Sequence, residues 1–358
     1  MMLAGWMALA LSLAASAGSP AAASPASARS LADLAEVYRA VDHGQAVAAL
    51  ALWDRERLEA ETRRLVDATG WRGGGSEATR LAAIALLCES ALLDLQVDAG
   101  PRARWELESA VRLMQAGPSG SAFARRFYLL AGLALHSGVE LEAGYAVLVQ
   151  ALRLDKDDPE LLTALGAITE TVAALRRYDR SPDSPDRGSP QFRGYSSESG
   201  AAGSLPSANL AEAQERYERA LALDPGLAEA RLRLGRVRLL RGRPDEAIAE
   251  LARVASDARQ PAQRYLARLF EGSAREALGD LGGAAAAYRA ATQDAPRAQT
   301  GLLALGSALD RIGDATGAQE ALARAGAAGS PHDPWWSYQA GQPARLDELL
   351  EELRRLIP

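Results

Sequence analysis

The chain has 358 residues, a net charge of −6, a pI near 5.4 and only 5% aromatic residues. No Lys/Arg block supplies the basic face that nucleic acid binding needs, and the Ala/Leu-rich, β-branched-poor composition favours helix over strand. Lys156 is the single lysine among 40 basic residues, so any chemistry that needs a lysine must use it.

The N-terminus has no charged side chain before Arg29. Leu3 to Leu13 is an apolar run, and Ala15 to Ala17 reads "ASA", a small-residue cleavage pattern. Residues 1–17 are therefore expected to be a secretory signal peptide, cut before Gly18. The missing basic residues ahead of the run depart from that pattern. The alternative is an uncleaved membrane anchor, although the run is well short of the ~20 residues of a spanning helix. No cysteine follows the run to carry a lipid. Residues 18–30, rich in Ala, Ser and Pro, are expected to be a flexible leader.

Residues 31–119 contain four helical stretches: "SLADLAEVYRAV", "AVAALALWDRERLEAETRRLVDA", "EATRLAAIALLCESALLDLQVDA" and "PRARWELESAVRLMQAG". The glycine-rich "GWRGGGS" separates the second from the third. The first two read as a capping pair, which solenoids need at their ends. The last two form a divergent repeat through Ala103, Leu107 and Ala110. Cys88, the only cysteine, falls in an apolar helix and reads as a buried small hydrophobe.

Beyond residue 120 a 34-residue period emerges. Gly132 and Gly166 are 34 apart, as are Gly272 and Gly306. Gly235 opens the same pattern, and Gly242, Gly279 and Gly313 each follow seven residues after their partner glycine. Small residues come next (Gly144, Ala213, Ala247, Ala284, Ala318), then large ones (Leu148, Tyr217, Leu251, Tyr288, Leu322), then small again and, in several copies, proline. This order of Leu-Gly, turn glycine, small residue, aromatic, alanine and proline resembles the tetratricopeptide repeat family. The resemblance covers residues 120–178 and 208–331 and fades before 120. It implies an all-α, right-handed superhelical solenoid of five to six antiparallel helix pairs with helical caps. In physical terms, Gly132, Gly166, Gly235, Gly272 and Gly306 let paired helices approach closely. Ala213, Ala247, Ala284 and Ala318 sit at the tight crossing, and Tyr217 and Tyr288 fill the space beside it.

One repeat is interrupted. Residues 179–207 are rich in Pro, Ser and Gly, cannot bury a core and are expected to be a disordered insertion. Phe192, Arg193 and Tyr195 within it are either a short docking segment or part of a plain linker. The insertion is also long enough to fold back as an autoinhibitory peptide. Residues 332–358 read as a truncated repeat and C-terminal cap. Trp336 stands 34 residues after Leu302, Gly341 turns the chain early, and Leu346, Leu350 and Leu353 form one stripe of a last amphipathic helix.

Catalytic patterns are absent from the sequence. There is no Gly-Lys-Ser/Thr for a nucleotide and no G-x-S-x-G elbow. His43, His136 and His332 form no zinc spacing. "DKDDPELLTALG" departs from a calcium loop at its fifth and last positions. No cofactor, metal or nucleotide is expected, and the chain reads as non-catalytic.

Repeat stacking makes a groove lined by the first helix of each pair. Its expected lining is Leu129, Leu133, His136, Glu170, Leu232, Arg236, Leu239, Leu269, Ser273, Glu276, Leu303, Ser307 and Asp310. Apolar and mixed in charge, it suits an amphipathic helix or an extended peptide. The expected role is an exported, periplasmic scaffold for another protein or peptide, with membrane contact only through an uncleaved N-terminus. The alternatives are a self-associating structural subunit of an envelope complex, or an accessory protein that binds a glycan or small molecule.

Overall fold

In the computed structural model the described residues are 30–40, 43–67, 70–72, 76–97, 99–117, 120–179, 210–328, 333–339, 341 and 344–358. The expected signal peptide, almost all of the leader, and the insertion with Phe192, Arg193 and Tyr195 lie outside them.

Among the described residues the fold is an all-α solenoid built from six helix pairs. These are α4 (Glu77–Gln96) with α5 (Gly100–Gln115), α6 (Ser121–Ser137) with α7 (Leu141–Leu154), and α8 (Pro159–Asp179) with α9 (Leu210–Leu223). Then follow α10 (Ala228–Leu240) with α11 (Pro244–Asp257), α12 (Pro261–Ala277) with α13 (Leu281–Asp294), and α14 (Gln299–Arg311) with α15 (Ala315–Ala327). Ahead of them stand α1 (Leu31–Ala40), α2 (His43–Leu50) and α3 (Arg55–Leu65), with α1 packed on α4 and α3 on α5. Two short helices, α16 (Pro334–Gln339) and α17 (Ala344–Arg355), end the chain.

The glycine of each first helix explains the pairing. An added Cβ would strike Leu148 from Gly132, Leu251 from Gly235, Tyr288 from Gly272 and Leu322 from Gly306, at 2.3–3.0 Å. Each of those partners follows its glycine by 16 residues. In the interrupted repeat the same contact joins Gly166 to Tyr217, at 2.5 Å and across 51 residues. So α8 and α9 are the two halves of one repeat, and the connecting segment adds 35 residues to it. Ala213, Ala247, Ala284 and Ala318 are buried at the crossings, and Tyr217 and Tyr288 are buried with them, each ring worth about 2 kcal/mol of apolar burial.

Gly242, Gly279 and Gly313 end their first helices at φ of +76°, +79° and +86°. The next residue's N–H then returns to the helix, as Arg243 N does to Arg238 O at 2.9 Å. In the α6–α7 turn the same position holds Val139 at φ +65°. The glycine there is Gly138, one residue early, because a Cβ at that point would meet Leu95 at 2.9 Å. A β-branched residue in the left-handed region is strained.

Three sequence expectations change. The second N-terminal helix is two, because Asp54 caps α3 by accepting from Arg57 N at 2.8 Å. The separator "GWRGGGS" begins within an antiparallel pair, β1 (Val66–Asp67) with β2 (Gly70–Trp71). Trp71 N donates to Ala116 O at 2.8 Å, and Gly70, at φ +118°, leaves no room there for a Cβ.

The third change is the largest. α16 and α17, expected as a truncated repeat and cap, do not continue the helix stacking beyond α15. They cross the face formed by the first helices, α16 resting on α12 and α17 on α6 and α4. The physical reason is the width of the α17 stripe. Leu349 joins Leu346, Leu350 and Leu353, all four are buried, and α4, α6 and α8 supply the apolar surface opposite. At the downstream end Leu322 of α15 remains 48% exposed.

Candidate partner-binding face

The first helices place one row of side chains on a common face, at −3, +1 and +4 from each close-approach glycine. That row was legible from the repeat. Its covering was not.

At the centre is Glu170 of α8, fully buried. One carboxylate oxygen accepts from Tyr217 Oη at 2.8 Å and from Arg233 at 3.4 Å. The other accepts from Arg236 at 2.7 Å and from Tyr338 Oη of α16 at 2.8 Å. Burial, reinforced by the Glu170 carboxylate, pushes both phenols up, so both remain donors. Arg233 also pairs with Glu229, lies 4.2 Å over the Tyr338 ring and donates to Tyr338 O at 3.3 Å. Arg236 lies 4.9–5.5 Å from the Tyr338, Trp335 and Phe270 rings. A buried carboxylate with four charged or phenolic donors is fully satisfied, which is the condition for a buried ion cluster to be tolerated.

Upstream, Leu129 and Leu133 of α6 are buried beside Gly341 and Arg345. His136, also buried, bonds through Nε2 to Thr171 at 3.1 Å, and its Nδ1 has no hydrogen-bond partner among the described residues. Gly341 lies over this ring at φ +70°, where a Cβ would meet Nδ1 at 2.6 Å. Burial and the nearby Arg233 pull the imidazole down to about 3, so it stays neutral. Arg345 pairs with Glu160, Arg126 with Glu160 and, at 2.8 Å, with Glu352. Arg354 pairs with Glu89 of α4 and donates to Tyr38 of α1 at 2.9 Å.

Downstream, Leu232 and Leu269 are buried and Leu239 half-buried. Ser273 bonds to Leu269 O and Tyr288, and Glu276 accepts from Tyr288 and Arg311 at 2.8 Å. Asp333 ties the tail to α12 and α14, accepting from Tyr265 at 3.2 Å and from Thr300 N at 2.7 Å. Past it, Leu303, Ser307 and Asp310 of α14 are exposed, as is Trp336.

The structure thus brings the expected row together, but most of its upstream and central members lie under the chain's own tail. Arg233, Tyr338, Arg345 and Arg354 were missed by sequence reasoning. Their only signal is charge and ring chemistry, with no spacing to link residues 168 apart such as Glu170 and Tyr338.

Larger hollows lie at the margins among the described residues. One of about 620 Å³ sits among α5, α6, α7 and α8, floored by Met114, Tyr128 and Leu161. Another, about 520 Å³, lies between the starts of α10 and α12 and the tail. Among the described residues no His, Cys, Asp and Glu group is placed to hold a metal ion, and no helix is long and apolar enough to cross a membrane.

Residues 207–269 match the family profile described as tetratricopeptide repeat. None of the curated proteins matches the chain. Solved structures similar to it include that of PilF from Pseudomonas aeruginosa, at 17% identity and TM-score 0.46, covering 60% of this chain and 80% of that one. MamA from Desulfovibrio magneticus RS-1 is similar at 19% identity and TM-score 0.41, covering 57% and 94%. YrrB, described as a TPR protein with an unusual peptide-binding site, is similar at 20% identity and TM-score 0.37, covering 56% and 83%.

Proposed function

We propose that this protein is a non-catalytic scaffold that binds another protein through the first-helix face of its solenoid. The observation that carries the reading is the face itself. It already holds an amphipathic helix with an aromatic lead segment, seated on apolar side chains and fixed by ion pairs at both ends of the helix. This is how helix-in-groove recognition is built. The match of residues 207–269 to a repeat family of this type supports the same reading. The apolar run Leu3–Leu13 and the "ASA" that follows support a location outside the cytoplasm, in the periplasm, as part of this reading; N-terminal sequencing of the mature protein checks this.

The test is photo-crosslinking in cells. A single lysine makes amine-reactive reagents uninformative, so a photoreactive residue is placed at Leu303, Ser307 or Asp310, with Glu320 on α15 as a control. A partner protein captured from the α14 sites and not from Glu320 supports the scaffold. Crosslinks only between copies of the chain favour the self-associating subunit, and no protein adducts from α14 overturn the reading.

A further inference from the structure

A helix of twelve residues is marginal in water on its own. α17 is therefore held in shape by the surface beneath it, and its contacts specify what that surface accepts. They consist of one phenol inserted among Glu170, Arg233 and Arg236, then a stripe of leucines beginning eight residues later, then an arginine at each end of the stripe facing a glutamate. Charge complementarity runs both ways, since Glu352 of the tail meets Arg126 of the face.

The fit is loose beside Gly341, where a small cavity remains between Leu129, Leu133, Ala164 and Arg345, and the buried His136 Nδ1 has no hydrogen-bond partner among the described residues. An occupant with a polar group there would pair with a ring nitrogen that the described residues of the tail leave bare.

Taking the scaffold reading as its basis, we propose that the partner is a protein segment of the same chemistry as residues 333–358, and that this tail is a displaceable placeholder. The partner segment carries a tyrosine for the Glu170–Arg233–Arg236 cluster, a following amphipathic helix with a leucine stripe, and arginines for Glu160 and Glu89. Binding requires the tail to leave, so the affinity of the free chain is reduced by the fraction of molecules in which the tail is seated.

The probe is a fluorescein-labelled synthetic peptide of residues 333–358, titrated by anisotropy into the full-length chain. Three proteins are compared: the unmodified chain, Tyr338→Ala/Leu349→Asp, and the milder Arg345→Ala/Arg354→Ala, which removes partly exposed ion pairs and the Arg354–Tyr38 hydrogen bond. Circular dichroism verifies that each is folded, and if the first variant is not, the second decides. Both variants should bind the probe more tightly than the unmodified chain, the Tyr338/Leu349 variant at least tenfold so. A probe with Tyr338 and Leu349 replaced by alanine should not bind. Equal affinity for variant and unmodified chains overturns the proposal, as does equal binding of the altered probe. A doubled mass by light scattering, with exchanged tails as the cause, also overturns it in favour of a second copy as occupant. Probe binding with no partner crosslinked at α14 defeats the scaffold reading and with it the partner segment, leaving only a tail that can be displaced. Crosslinked partner with no probe binding defeats the placeholder and leaves the scaffold reading standing.

Discussion

The same repeat positions have opposite fates at the two ends of the first-helix face. Three residues before the close-approach glycine, Leu129, Leu232 and Leu269 are 0–4% exposed, whereas Leu303 is 46% exposed. Four residues after it, His136 and Glu170 are buried, Glu276 is half-buried and Asp310 is exposed. The repeat pattern decides which side chains point to the face. The tail decides which of them meet water, and it stops at α14.

The sharpest way to break this contrast is to substitute the same position at both ends. Glu170→Ala leaves Arg233, Arg236 and two phenols buried without their acceptor. It should cost about 3–5 kcal/mol in urea unfolding, while Asp310→Ala should stay within about 0.5 kcal/mol. Leu349→Ala on the buried stripe of the tail should cost about 2–5 kcal/mol, and Leu303→Ala in the open region should again be close to neutral.

A change of pH should loosen one end without touching the other. Glu106 of α5 is buried, accepts from Ser90 at 2.8 Å, and lies with Asp94 around Arg102, which is 2.9 Å from Asp94 and 3.5 Å from Glu106, while the second Glu106 oxygen has no hydrogen-bond donor among the described residues. A proton on Glu106 removes the repulsion between the two neighbouring carboxylates. Burial, with the Asp94 charge beside it, pushes the Glu106 carboxyl up to about 8. The folded state holds this proton more tightly than the unfolded one. Stability is therefore full below the ordinary carboxylate value, falls as pH rises from there to about 8, and levels off beyond. Hydrogen exchange in α4 and α5 should quicken from pH 5 to 8, after correction for intrinsic rates, with α12 to α15 unaffected. Glu106→Gln should remove the slope.

The smallest effect concerns the turns. Val139→Gly should stabilise the chain by about 1 kcal/mol by relieving its left-handed backbone. Gly313→Val at the matching downstream turn should destabilise it by a similar amount. Thermal melts of both settle the sign.

The repeats from Gly132 to Leu322 were legible because close approach, turn and crossing each demand a residue type at a fixed spacing. Even the interrupted repeat could be read, since Gly166 and Tyr217 keep their roles across the insertion. The row of face residues followed from the same register. The seating of the tail did not, because an amphipathic stripe such as Leu346–Leu350–Leu353 states that it will be buried and not against what. Trp336 shows the hazard directly. Its 34-residue spacing from Leu302 suggested another repeat, yet it sits on a six-residue helix, 59% exposed, while its neighbour Trp335 stacks on Tyr338.

The tail also acts on the shape of the whole. A repeat array is quasi-one-dimensional, each unit touching its neighbours, and its curvature is free to breathe. Here Asp333 is fastened at the start of α14, and Arg354 reaches Tyr38 of α1 across 316 residues of sequence. The segment between them is a chord drawn across an arc, and its length fixes how far the arc can open. Release of Tyr338 from its cluster would therefore be felt as a change in the distance between α1 and α14, a mechanical readout at both ends of the molecule from an event at its centre.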